Sequence, residues 1–212
     1  MNKQKELIRY LKNRGGIAGY AEIRKAGFDK TALRKILETK QAEKMERGVY
    51  RLAGGMTCSN PDFAAVSIKV PKGVICLLSA LFYHGLTDEI PRNVDVAIPR
   101  GSHVNKIKYP PVHFYHFSNK AWREGVEKHV MDGHEIKIYS AAKTIADAFK
   151  FRNKIGIPIA RQAMKAALRQ KRAKPDEIIR YAKICRVDKT VQPILEALLG
   201  QVGCRFRRCC LP

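Results

Sequence analysis

Residues 29–52 read DKTALRKILETKQAEKMERGVYRL, and this stretch decides the fold that we predict for the beginning of the chain. Asp29 is a typical helix N-cap, and apolar residues follow it at helical spacing until about Lys40. The apolar face of this predicted helix comprises Ala32, Leu33, Ile36 and Leu37. The opposite face is polar and mainly cationic, with Lys30, Thr31, Arg34, Lys35 and Glu38.

The second half of the stretch predicts a β-hairpin. A short strand over residues 42–45 leads into the turn Glu46-Arg47-Gly48, and a second strand covers residues 49–52. Gly48 suits the tip, because a tight hairpin turn needs a residue with positive φ. Lys44 and Arg47 bring positive charge to this end of the hairpin.

Two shorter segments before this stretch also predict helices. Leu7, Ile8 and Leu11 recur at helical spacing until Gly15-Gly16 ends the first helix. A second, short helix is predicted over residues 20–26 and is closed by Gly27. Three helices followed by a hairpin, all within residues 1–53, is the order of a winged helix-turn-helix domain, in which the third helix crosses the first two.

This order predicts binding to double-stranded DNA, with the third helix in the major groove. Arg34 is the leading candidate for base reading, because arginine binds guanine through two hydrogen bonds, and Thr31 and Lys35 lie beside it. Phosphate contacts are assigned to Lys30, Lys44 and Arg47. The alternative is a small helical interaction module whose polar face contacts only water.

The charge of the whole chain is consistent with a polyanionic partner. Lys and Arg number 41 against 19 Asp and Glu, which gives a formal net charge of +22 at pH 7. Such a balance favours nucleic acid, because neutralised phosphates release condensed counterions; a solvated basic surface without a partner is the alternative. No stretch approaches about 18 continuous apolar residues, and residues 1–14 lack an apolar signal-peptide core. We therefore expect a cytoplasmic protein without a membrane partner.

The rest of the chain predicts a second unit, of the α+β class. Residues 54–61 are predicted to be a linker, residues 62–200 a mixed domain, and residues 201–212 a disordered basic tail that contains cysteine. Strands are expected over 94–98, 112–117, 126–131 and 135–139. Helices are expected over 73–86, after the N-cap Ser140, along 159–168, from Pro175, and over 191–199. This pattern predicts a small, mostly antiparallel sheet with helices packed against it.

One weak pattern points to metal-dependent cleavage of nucleic acid. Asp95 and the later Glu135-Ile136-Lys137 match an acid followed by Glu-x-Lys, in which two carboxylates hold Mg²⁺ and the lysine orients water. A solvated cross-strand pair explains Glu135 and Lys137 more simply, since Glu-x-Lys arises by chance in any charged hairpin. The nuclease is therefore kept as the rival function.

Other polar clusters predict neither catalysis nor a metal site. His113 and His116 fall on opposite faces of one strand, and His129 with His134 supplies only two ligands across a hairpin. The six cysteines form no C-x-x-C pair. A further group lacks a nucleophile elbow and comprises Ser79, Tyr83, His84 and Asp88. We therefore expect no enzymatic activity, no cofactor and no small-molecule substrate.

Several strings, in a fixed order along residues 5–200, give the chain a wider resemblance. They are GVYRL at 48–52, LSAL and YHGL within the run 71–87, VDVAIP at 94–99, and IYSAAKTIADAF at 138–149. In these motifs the chain resembles the AbiEi family of antitoxins, from bacterial abortive-infection, type IV toxin–antitoxin systems. The residues after Gly200 match no part of that pattern.

The resemblance implies a transcriptional autorepressor that binds inverted repeats in its own promoter. It also implies that the second unit opposes a nucleotidyltransferase-like toxin, by a route that need not involve a stable complex. It marks Thr144 and Asp147, next to Lys143, as a polar site of that unit. The residues themselves allow an alternative, in which Ser140 and Thr144 brace the helix while Asp147 pairs with Lys143 or Lys150. A plain repressor without a toxin partner is a further alternative.

Overall fold

The computed structural model describes residues 3–54, 59–104 and 106–206 of the 212. Half of the predicted linker, residues 55–58 with Cys58, lies outside the described residues. The same holds for residues 207–212, which include Cys209 and Cys210. Helices and strands follow one another in a mixed order, so the predicted α+β class is confirmed.

The first unit, residues 3–54, contains three helices and a three-stranded antiparallel sheet. Its elements are α1 (Lys3–Lys12), β1 (Ile17–Gly19), α2 (Tyr20–Lys25), α3 (Lys30–Glu38), β2 (Ala42–Glu46) and β3 (Val49–Leu52). The strands lie in the order β1-β3-β2. Strand β1 was not expected from the sequence, because three residues are too few to show an alternating pattern. Side chains from all three helices form one buried cluster that includes Leu7, Leu11, Ile23, Leu33 and Ile36.

The second unit, residues 59–206, is built on a five-stranded sheet with helices on both faces. Its strands are β4 (Val74–Ile75), β5 (Val94–Pro99), β6 (Val112–Phe117), β7 (Val126–Met131) and β8 (His134–Tyr139). Its helices are α4 (Pro61–Lys69), α5 (Leu77–Tyr83), α6 (Asn119–Arg123), α7 (Ala141–Lys150), α8 (Arg152–Ile155), α9 (Ile157–Arg169), α10 (Pro175–Cys185) and α11 (Asp188–Phe206). The backbone of residues 201–206 is therefore helical where a disordered tail is predicted.

The prediction that this sheet is mostly antiparallel is wrong, because the sheet is mixed. Its strand order is β6-β5-β4-β8-β7. The pairs β4–β5 and β7–β8 are antiparallel, whereas β4–β8 and β5–β6 are parallel. Alternation of apolar residues marks a strand but carries no information about its direction, which is set by how the chain connects distant strands.

The predicted helix over residues 73–86 is wrong in its first part. Val74 and Ile75 form strand β4, and α5 begins only at Leu77. Both segments are buried, and a continuous apolar run does not distinguish a buried strand from a buried helix.

The two units pack directly against each other. Helix α4 begins at Pro61, the last residue of the predicted linker, and packs against both β1 and β8. Ile17 and Val49 of the first unit share a buried cluster with side chains of α4 and the larger sheet. The approach is close at Gly19, where a Cβ atom would lie 2.6 Å from Cγ2 of Ile68. A glycine at that position therefore allows α4 to lie against the first unit.

Candidate nucleic-acid interface

Helix α3 has the amphipathic character that its sequence predicts. Asp29 caps it by accepting a 2.7 Å hydrogen bond from the Ala32 backbone N–H. Ala32, Leu33 and Ile36 are buried where α3 packs against α1 and β2. The polar face is exposed along its whole length, at Lys30, Thr31, Arg34, Lys35 and Glu38.

Arg34 is the most prominent side chain of this exposed face. Its side chain is 75% exposed, and its Nε donates a 2.8 Å hydrogen bond to Oε1 of Glu38, four residues later. An exposed pair of this kind contributes only about 0.2–1 kcal/mol. The contact therefore orients the guanidinium weakly and leaves it free to exchange Glu38 for another acceptor.

The hairpin beside α3 supplies two further exposed cations, Lys44 and Arg47. Gly48 has φ of +80°, as the tight turn requires. A β-bulge shifts the register of β2 against β3 between Lys44 and Glu46. The predicted contact residues Lys30, Thr31, Arg34, Lys35, Lys44 and Arg47 are thus all on the surface of the first unit.

Glu46, at the start of the hairpin turn, accepts hydrogen bonds from three backbone N–H groups. Its Oε1 accepts from Arg47 at 2.8 Å, and its Oε2 accepts from Lys108 at 2.8 Å and Tyr109 at 3.3 Å. These bonds favour the ionised carboxylate, so the Arg47 N–H first and the Lys108 N–H next lower the pKa of Glu46. Lys108 and Tyr109 belong to the second unit, so Glu46 joins the hairpin to it.

A second polar junction joins the units at the other end of β1. His134, which is 2% exposed, places Nε2 within 3.2 Å of the Arg14 carbonyl oxygen and 3.0 Å of the Ile17 carbonyl oxygen. Two acceptors require that Nε2 carries a proton. Arg14 Nη2 also lies 2.5 Å from Glu22 Oε1 and 3.2 Å from His134 Nδ1. Burial raises the pKa of Glu22, but the neighbouring His134 side chain, the Gly19 N–H and the Arg14 guanidinium outweigh it and leave the pKa lowered.

The three candidate residues of the second unit, Lys143, Thr144 and Asp147, are brought together, but inside the protein. All three are 0% exposed. Lys143 Nζ lies 2.5 Å from Asp147 Oδ2, and the Thr144 hydroxyl donates to the Tyr139 carbonyl oxygen at 3.2 Å. Ser140 caps the helix through the Lys143 N–H. The side chains therefore brace α7 and are not presented to a docking partner.

Aromatic rings and a thiol complete the surroundings of this buried pair. Lys143 Nζ lies 4.3 Å from the ring centroid of Tyr139 and 4.9 Å from that of Phe117. Cys185 Sγ donates to the second oxygen of Asp147 at 3.2 Å. Burial raises the pKa of Asp147, and the Lys143 ammonium acts in the opposite direction. The lysine thus partly offsets the effect of burial on this carboxylate.

The residues of the rival nuclease hypothesis do not converge. Asp95 is buried and accepts from the Leu78 N–H at 3.1 Å, whereas Glu135 pairs with Lys128 and Lys137 donates to the Pro71 carbonyl oxygen at 2.8 Å. Asp95 lies on β5, and strand β4 separates β5 from β8. Across the sheet, Asp95 is level with Cys76, which follows β4, and with Tyr139 at the end of β8. Glu135 precedes Tyr139 by four residues, which places it roughly 13 Å further along the strand. The two carboxylates are too far apart to share one metal ion.

The histidines are also dispersed. His129 pairs with Ile136 across the hairpin, and His134 pairs with Met131, so the two histidines do not lie directly opposite each other. His113 and His116 are both exposed on β6. Within residues 3–54, 59–104 and 106–206, no group of three or more His, Cys, Asp or Glu side chains is placed to hold a metal ion.

Sequence reasoning missed Glu46, Lys69 and His134, which join the two units. Lys69 Nζ donates a 2.6 Å hydrogen bond to the Arg47 carbonyl oxygen. Each of these residues finds its partners far away in the sequence, so no local spacing identifies them. The one available signal is Glu46 itself, an acid inside an otherwise cationic hairpin tip.

The chain matches no model of a known protein family, and no curated protein matches it. In the part of the chain that the structure describes, no helix combines the length and the apolar character needed to cross a bilayer.

Proposed function

We propose that this protein is a DNA-binding autorepressor with a winged helix-turn-helix in its first unit, and that it acts as an antitoxin. The observation that carries the DNA-binding part is the exposed cationic face of α3 beside a hairpin whose tip also carries exposed cations. A helix about 10–12 Å across with its side chains fits the major groove of B-DNA. The apolar face that holds α3 in place is buried, so the helix offers its cationic side without unfolding.

We assign base and phosphate contacts from the position of each side chain on this surface and from its hydrogen-bonding groups. Arg34, Thr31 and Lys35 lie on the exposed face of α3, where side chains meet base edges once the helix enters the groove. Phosphate contacts are assigned to the side chains at the margins of this surface, Lys30, Lys44 and Arg47. The net charge of +22 adds a sequence-independent attraction for any duplex.

The antitoxin part rests on the resemblance to the AbiEi family, which extends along residues 5–200. It assigns to the second unit the role of opposing a nucleotidyltransferase-like toxin. Because Lys143, Thr144 and Asp147 are buried, they would support that unit from inside, and its surface would carry any contact with a partner.

The test of DNA binding is a gel shift with a duplex from the protein's own promoter and a shuffled duplex of equal length and composition. We expect the promoter duplex to be retarded at lower protein concentration at every salt concentration between 50 and 200 mM, about the range in which phosphate-dominated binding weakens most. If both duplexes are retarded equally, the protein binds DNA without sequence specificity. If neither duplex is retarded, the proposal that it binds DNA is wrong.

The antitoxin role is tested separately, by co-expression with a nucleotidyltransferase-like protein encoded next to it. We expect co-expression to restore growth that the toxin alone arrests. A promoter shift without an adjacent toxin gene, or without rescue, would leave a plain repressor.

A further inference from the structure

Two residues of the hairpin turn, Glu46 and Arg47, are hydrogen-bonded to the second unit. The Glu46 carboxylate accepts from the backbone N–H groups of Lys108 and Tyr109. The Arg47 carbonyl oxygen accepts from Lys69 at the end of α4, and the Gly48 carbonyl oxygen accepts from the Tyr20 N–H of the first unit at 2.8 Å. Three consecutive residues of the turn therefore have partners outside the hairpin.

The segment that holds Glu46 is itself fixed in the second unit. The Asp62 carboxylate, in the first turn of α4, lies near the Tyr109 hydroxyl, and its charge together with burial raises the pKa of Tyr109. Ile107 packs against the buried cluster that α4 forms with the larger sheet, and Met45 of β2 packs against the same cluster. Residues 107–109 thus form a firm support for the hairpin.

The bulge in β2 is part of the same arrangement. It lies between Lys44 and Glu46, immediately before the turn. Bulges re-aim the side chains next to them, and β2 lies at the edge of its three-stranded sheet, with β3 as its neighbour. The position of the tip, and of the Arg47 side chain on it, therefore depends on contacts with the second unit.

We propose that Glu46 is a positioning residue for DNA binding: together with residues 107–109 it holds the hairpin where Arg47 meets a phosphate. This inference rests on the proposed function. It gives the second unit control over the DNA-binding surface, because displacement of residues 107–109 releases the tip. It also explains an acid at a surface that binds a polyanion.

The sharpest test compares Glu46→Ala with Glu43→Ala in gel shifts with the promoter duplex. Both residues are glutamates of β2, and each substitution raises the net charge by one, which by itself favours binding. Glu43 pairs with the side chain of Arg51 and serves as the control. We expect Glu43→Ala to bind as tightly as wild type or tighter, and Glu46→Ala to bind about five- to tenfold more weakly at 0.1 M salt, the size of one phosphate contact.

Two further variants distinguish positioning from a general structural effect. Glu46→Gln keeps an oxygen that accepts from the two N–H groups, so it should bind more tightly than Glu46→Ala. In an Arg47→Ala background, Glu46→Ala should cause no further loss, because the side chain that it positions is already absent. A full additional loss in that background would overturn the proposal.

Hydrogen exchange tests the contact without DNA. In Glu46→Ala, the amides of Lys108 and Tyr109 should exchange about tenfold faster or more, since they lose a hydrogen bond to a charged group, whereas Glu43→Ala should leave them unchanged. If wild type binds and the two alanine variants bind equally, the inference is wrong and the proposed function stands. If wild type fails to bind, both are wrong.

Discussion

Helices α3 and α7 each carry an ion pair between a cation and an acid four residues later, and the two pairs lie in opposite surroundings. Arg34 and Glu38 of α3 are 75% and 58% exposed, with Nε and Oε1 2.8 Å apart. Lys143 and Asp147 of α7 are both 0% exposed, with Nζ and Oδ2 2.5 Å apart. The sequence spacing is identical, so the difference arises entirely from what packs around each helix.

The number of neighbouring elements explains this difference. Helix α3 packs against α1 and β2, which cover one face and leave the other to solvent. Helix α7 packs against α5, α9 and α10, and residues 141–149 are all buried. Charge on α3 is therefore available for a ligand, whereas charge on α7 must be neutralised within the protein.

The largest effect is expected from a matched pair of substitutions, Lys143→Met in α7 and Lys35→Met in α3. Lys143→Met leaves the Asp147 carboxylate buried without its cation and should lower the free energy of unfolding by about 3–5 kcal/mol. Lys35→Met changes an exposed side chain and should stay within about 0.5 kcal/mol of wild type. Urea denaturation monitored by circular dichroism measures both.

A double variant tests whether the Lys143 effect comes from the broken pair. Lys143→Met with Asp147→Asn removes both charges at nearly constant volume and should recover most of the stability that Lys143→Met loses, since the cost of the single variant is an uncompensated buried charge. If the double variant is as unstable as the single one, the loss comes from packing around Phe117 and Tyr139 rather than from an unpaired carboxylate.

The next largest effect is expected in DNA binding, from Arg34→Ala. If Arg34 reads a guanine as proposed, its removal should weaken promoter binding by about 1–3 kcal/mol and relax the preference at that base pair, without changing stability. Titration of promoter duplexes mutated at single base pairs measures the preference. Arg169→Ala, at an exposed cation of α9, is the control and should leave the base preference unchanged. An unchanged preference in Arg34→Ala would move base reading to another residue.

The comparison also shows which parts of the structure the sequence predicts. Features that depend on only a few neighbouring residues are predicted correctly. They are the helical period of α3, the Asp29 cap and the turn at Gly48. The same local logic places Lys143 and Asp147 on one helix and allows their pairing. It does not reveal that Lys143 is buried, because burial depends on α9 and α10, which follow later in the chain.

The sequence does not predict the hydrogen bonds that join the two units, because these bonds also depend on residues far away in the chain. The partners of Glu46 lie at Lys108 and Tyr109, and the partners of His134 lie at Arg14 and Ile17. Such contacts exist only once the two units are packed together, and they leave no periodic trace in the sequence. The direction of strand pairing in the larger sheet was missed in the same way, since it is set by connections between distant segments.

The smallest effect on stability is expected from removing the N-cap side chains of α3 and α7. Asp29 accepts from the Ala32 N–H, which holds the pKa of that carboxyl below its usual value, and Ser140 accepts from the Lys143 N–H. Asp29→Ala and Ser140→Ala should each lower the melting temperature at pH 7 by about 2–4 °C. Only Asp29→Ala should also weaken promoter binding, because the exposed first turn of α3 carries Lys30 and Thr31.

The pH dependence of these two effects differs in a way that calorimetry measures. A group whose pKa is lower in the folded state contributes stability above its unfolded pKa and loses that contribution as the pH falls through its folded pKa. The deficit of Asp29→Ala should therefore shrink below the ordinary aspartate pKa of 3.8, whereas that of Ser140→Ala, which removes a hydroxyl, should not change with protonation at the cap. A deficit of Asp29→Ala that is constant with pH would show that the charge of the carboxylate contributes nothing to the cap, and that the side chain caps α3 equally well in either protonation state.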